Sequence, residues 1–154
     1  MLHDTSFFSR TLPFHGFIEF FDLEYLEIVE SGLTEIPEFS EWPLVTLKEI
    51  VLTDNPKLER IGEGAFEISN LAKVTIQGVS SDFTIETSGL YILSQNAESL
   101  TLPFAENLKF NEDAFGLGFG SHPWTELNIW TNDFPENVFR PLLNRFMDNG
   151  VTSK

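Results

Sequence analysis

Apolar-x-apolar pairs recur along the chain at nearly constant intervals. Leu26-Glu27-Ile28 is followed 24 residues on by Ile50-Val51-Leu52, after another 24 by Val74-Thr75-Ile76, after 26 by Leu100-Thr101-Leu102 and after 27 by Leu127-Asn128-Ile129. Three residues before each pair stands a further position of the same register: Leu23, Leu47, Leu71, Ala97 and Trp124. Such alternation predicts a short strand with one face inward. A period in this range predicts a solenoid, because one repeat cannot bury its apolar face alone and stacked repeats can. After each pair comes a looser arm rich in Gly, Pro, Asn and Asp: "GLTEIPEF", "NPKLERIGEGAF", "ENLKFNEDAF" and "NDFPENVF". These residues suit a chain leaving a strand and turning.

The arms carry a repeated phrase, "IGEGAF" at 61–66 and "FNEDAF" at 110–115. Ile61 and Phe110 are expected to point into the core. Phe66 and Phe115 are expected to stack on the convex side, with Phe139 as their fifth-repeat counterpart. The third arm, "VSSDFTIETSGLYIL", keeps Ile85 and Leu90 but loses Ala-Phe, and Trp42 stands near that place in the first arm. Residues 12–20, "LPFHGFIEF", read as the arm of an earlier, partial repeat within 1–22. Near the end, Val138, Phe139, Leu142, Leu143, Phe146 and Met147 recur at helical spacing. Asp133 suits the cap, Pro135 the first turn and Gly150 the stop, so an amphipathic helix is expected over about 135–148. The expected architecture is a single α/β domain over 1–154, with one short parallel strand per repeat, about five repeats and a C-terminal helix.

If the apolar positions face inward, the intervening ones face outward on the concave side and are free to bind. On the first two strands this selects Tyr25, Glu27, Glu49 and Asp54. On the third it selects Thr75 and Gln77, and on the last two Phe104, Asn128 and Trp130. Exposed aromatics are enriched in interface hot spots, so Phe104 and Trp130 are the sharpest candidates. The plainer reading is that they pack on each other across adjacent strands, or cover a ragged edge next to Pro103.

Charge narrows the partner. With 24 acidic against 9 basic residues, the formal net charge is −15. A nucleic-acid binder must neutralise phosphates with Lys and Arg, so nucleic acid is not expected, and neither is an anionic membrane surface. A protein partner is. There is no Cys, which rules out disulfides and thiolate metal sites. No apolar run reaches the length of a membrane span. No cofactor or metal is expected: no phosphate-cradling Gly motif opens a helix after a strand, and no EF-hand loop occurs. "GLGFGSHPW" at 116–124 precedes a strand and reads as a loop insertion. His3, His15 and His122 are dispersed and read as loop or surface residues. Glu27 and Glu49, on neighbouring strands, have two readings, a pair for acid–base work or a solvated acidic face.

The second repeat, L47-KE-I50-V-L52-TD-N55, matches the leucine-rich repeat core L-x-x-L-x-L-x-x-N. With "LKEIVLTDNPKLERIGEGAF", "NEDAF" and "FPENVFRPLLNRF", nearly the whole chain resembles secreted arthropod leucine-rich repeat proteins. It is most similar to those related to the non-catalytic subunit of shrimp luciferase. The resemblance implies an extracellular setting and a binding or stabilising role beside another protein, without luciferase chemistry. Related chains often start with a signal peptide and continue into a Cys-containing cap; neither is visible in this sequence. The expectation is therefore a non-enzymatic protein-binding or scaffold module. The alternative is a carbohydrate-active enzyme on a parallel β-helix using the acidic strand face. Against it stands the single clear strand per period, since such coils usually carry more.

Overall fold

The computed structural model describes residues 22–38, 45–116, 124–130 and 135–148. Five strands form where the apolar-x-apolar pairs stand: β1 (Tyr25–Val29), β3 (Glu49–Thr53), β5 (Lys73–Ile76), β7 (Ser99–Thr101) and β9 (Glu126–Asn128). They make one parallel sheet in the order β1-β3-β5-β7-β9. Its register follows the sequence repeat, with Leu26 beside Ile50, Ile50 beside Val74, Val74 beside Leu100 and Leu100 beside Leu127. Leu26, Ile28, Ile50, Leu52, Val74, Ile76, Leu100 and Leu102 are buried; Leu127 and Ile129 at the last strand are only partly so.

The return arms differ from the expectation. They carry strands of their own: β2 (Glu35–Ile36), β4 (Arg60–Ile61), β6 (Asp82–Ile85) and β8 (Asn107–Phe110). These pair in parallel as a second sheet, β2-β4-β6-β8. Each full turn thus supplies two strands, and the molecule is a parallel β-solenoid of about four turns, in place of five repeats with one strand each. The physical cause is a second inward row, Ile36, Ile61, Ile85 and Phe110, whose members are register neighbours and all buried. Stacking that row brings the arm backbones into pairing distance.

Left-handed turn residues recur at two places in the described coils. After the first-sheet strands, Glu30, Asp54 and Gly78 all have positive φ (50°, 53° and 61°). Gly78 is required there: a Cβ would lie 2.8 Å from the Asp54 backbone nitrogen. After the second-sheet strands, Gly64, Ser88 and Asp113 have positive φ (58°, 54° and 52°). These three are the fourth residues of "IGEGAF", "IETSGL" and "FNEDAF". The repeated phrase therefore occurs a third time, with Leu90 in the place of Phe66 and Phe115. All three of these side chains are buried. Phe115 stacks within its own turn on Phe110, at a centroid distance of 6.0 Å. Phe139, the expected fifth counterpart, lies on the helix and is 47% exposed.

Helix α1 spans Glu136–Asp148. The Pro135 carbonyl accepts from the Val138 and Phe139 N–H groups, closing the first turn. Val138 and Leu142, four apart on one face, join the solenoid core, while Phe139 and Leu143 face outward. Asp133 and Gly150, the expected cap and stop, lie outside the described residues, as do residues 12–20, Trp42, the three histidines and residues 117–123.

Candidate functional site: the outer face of the first sheet

Because strands in register stack directly, the outward side chains of the first sheet form rows across the solenoid. One runs Tyr25, Glu49, Lys73, Ser99, Glu126; the next runs Glu27, Val51, Thr75, Thr101, Asn128. Val29 and Thr53 begin a third row along the strand ends. Gln77 extends β5 by one residue, donating its N–H to Leu52 O at 2.8 Å, and is exposed.

The structure places the expected site residues unevenly. Tyr25 is 44% exposed. Partial cover by the sheet, then the charges of Glu27 and Glu49, raise its pKa above the ordinary phenolic value. Glu27 and Glu49 are diagonal neighbours: Glu27 is beside Val51, and Glu49 beside Tyr25. Thr75 lies between Val51 and Thr101. Asn128 donates from Nδ2 to Glu126 Oε1 at 2.8 Å on its own strand. Asp54 stands at the exposed turn after β3. Pro103, by register an outward position, is buried. Phe104 beside it is 64% exposed, and Trp130 is 54% exposed. No ring contact between Phe104 and Trp130 occurs among the described residues.

Charge separates this face from its surroundings. The cations near it are taken up by carboxylates at the strand entries: Lys48 meets Glu24 at 2.6 Å and Lys73 meets Glu98 at 3.2 Å. Among the described residues, Glu27, Glu30, Glu49 and Asp54 form no ion pair. The second sheet is arranged otherwise. Arg60 bridges three turns, meeting Glu35 at 3.0 Å and Glu86 at 2.9 Å, and Asn111 in the next turn donates to Glu86. The hydrogen bond to Glu86 foremost, with a further contribution from Glu35 and against partial burial, pushes the guanidinium above its ordinary value. Asp82 accepts from Asn107 Nδ2 at 2.9 Å. Sequence reasoning missed this ladder. Its signal was the spacing of Ile36, Ile61, Ile85 and Phe110, which repeats every 24–25 residues and would have set Glu35 beside Arg60.

No group of three or more His, Cys, Asp or Glu among the described residues is arranged to hold a metal ion. No described helix is long and apolar enough to cross a membrane. No family model matches the chain, and no curated protein or solved structure matches it either.

Proposed function

We propose that the chain is a non-enzymatic leucine-rich repeat module that binds a protein through the outer face of its first sheet, as the non-catalytic partner of a secreted enzyme. The observation that carries the reading is the exposure of Phe104 and Trp130, at 64% and 54%, just past the C-terminal ends of β7 and β9. Large aromatics left in water beside polar neighbours are the usual anchors of protein interfaces. The repeat assignment is supported by Leu47, Ile50, Leu52 and Asn55. All four positions of the L-x-x-L-x-L-x-x-N match have no exposed surface. The extracellular setting rests on the resemblance to secreted arthropod proteins. A random-peptide display selection against the whole chain tests the binding role. Enriched clones should lose roughly tenfold or more in affinity for Phe104→Ala/Trp130→Ala, with the unfolding midpoint unchanged. No enrichment, or equal binding by the double variant, would sink it.

The finding of two strands per turn favours a second reading, since it removes the objection to a carbohydrate-active enzyme on a parallel β-helix. On that reading Glu27 and Glu49 are the carboxylates. Release of reducing ends from a polysaccharide panel, abolished in Glu27→Gln, would support it over the first. Inactivity across the panel, or activity unaffected by the substitution, removes it.

A further inference from the structure

The outer face of the first sheet is polarised along the solenoid, and the polarity describes a partner. At the β1–β3 end stand Glu27, Glu30, Glu49 and Asp54, without a cation of their own among the described residues. The one cation on the strands of this face, Lys73, is already held by Glu98. At the β7–β9 end stand Phe104 and Trp130, the two most exposed large apolar side chains described. On the second sheet, by contrast, Glu35, Asp82 and Glu86 are all engaged within the ladder. Among the described residues, carboxylates without an ion pair also stand on the arms, at Glu59, Glu63, Glu106 and Glu112, but on the strands themselves Glu27 and Glu49 of the first sheet are the pair set on adjacent strands with no cation of their own.

We propose that this face docks an extended basic peptide segment lying across the strands, with Lys or Arg over Glu27 and Glu49 and an apolar residue against Phe104 and Trp130. The inference rests on the binding reading above and gives the partner its chemistry. Parallel strands are ~4.8 Å apart, so the two ends of the face are roughly 10–19 Å apart, two to four strand intervals. An extended peptide advances ~3.3 Å per residue. The basic and apolar residues of the partner are therefore about three to six positions apart. Complementary charge steers the approach, and the aromatic end supplies the desolvated anchor.

The test uses the whole chain and the display library. Enriched peptides should carry Lys or Arg about three to six residues from an aromatic or aliphatic residue. Their affinity should fall roughly tenfold in Glu27→Gln/Glu49→Gln, and again as NaCl rises from about 0.05 M to about 0.3 M, which shortens the screening length. Glu106→Gln/Glu112→Gln removes the same charge from exposed positions off this face and should leave affinity within about twofold. Three outcomes overturn the inference: enriched sequences without basic residues, binding indifferent to salt, or equal weakening by both Gln pairs, which would mark bulk attraction to an acidic protein. If enrichment depends on Phe104 and Trp130 but not on the carboxylates, the binding role stands and the basic partner falls. If nothing is enriched, the binding role itself fails. The salt series on the unaltered chain decides the question even if a variant does not fold.

Discussion

Asn55 has no exposed surface, and all of its side-chain polar capacity goes to hydrogen bonds. Its Oδ1 accepts from the Ser31 N–H at 2.9 Å and the Ser31 hydroxyl at 2.6 Å. Its Nδ2 donates to Ile28 O at 3.0 Å and Thr53 O at 2.9 Å. One amide thus ties the turn after β1 to the turn after β3. Asn55→Ala should cost about 2–4 kcal/mol, measured by urea unfolding, because it leaves several buried groups without partners. Ser31→Ala should cost less, since the backbone N–H at 31 still donates to Asn55 Oδ1 and only the Leu33 N–H, 3.2 Å from the Ser31 hydroxyl, loses its acceptor. The Asn was legible as the last position of its motif. Its partner was not, because Ser31 lies 24 residues back and nothing in its neighbourhood distinguishes it. A second residue-scale contrast concerns the left-handed position after the first-sheet strands. Gly78→Ala should destabilise by about 1–3 kcal/mol, since it combines strain with a 2.8 Å clash against Asp54. Glu30→Gly, at the same place one end of the solenoid away, should be neutral or stabilising by up to about 1 kcal/mol, because it relieves an L-residue from positive φ. Thermal melts of the two variants check the opposed signs.

At the scale of elements, the first sheet was legible because every strand carries an apolar-x-apolar pair. The second sheet was not, because β2 and β4 are two residues each and offer a single alternation, too short for a period-2 signal. The longer arm strands did carry it: Asp82-Phe83-Thr84-Ile85 and Asn107-Leu108-Lys109-Phe110 alternate outward and inward along their whole length. The third copy of the phrase was hidden for another reason. "IETSGL" shares no aromatic ring with its counterparts, and what the three have in common is a left-handed backbone at one position. The helix was legible from its apolar spacing, and its weak point is equally plain. Pro141 sits inside α1 and cannot donate to the Asn137 carbonyl. Pro141→Ala, at an exposed position, should raise helical ellipticity at 222 nm and stabilise by about 1–3 kcal/mol. A loss of stability would mean that the proline at 141 is needed to seat Val138 and Leu142 in the core.

For the whole molecule, the solenoid turns a sequence period into a surface map. Knowing which positions face inward fixed which ones face out, and this is why Tyr25, Glu27, Thr75, Asn128 and Trp130 could be named from spacing alone. The map failed at Pro103, an outward position by alternation that is nonetheless buried, and it said nothing of ion pairing. That depends on which side chains reach across turns, as Lys73 does to Glu98. The same nearest-neighbour stacking means that binding at one face need not disturb the other. The indole N–H signals of the protein provide the most direct check. Trp124 is buried, with its indole N–H directed at Leu90 O at 3.4 Å, whereas Trp130 is exposed on the proposed face. On titration with an enriched basic peptide, the Trp130 indole resonance should shift and saturate while that of Trp124 stays in place. A still Trp130 signal, with shifts at Arg60 and Lys109 on the second sheet instead, would contradict the account.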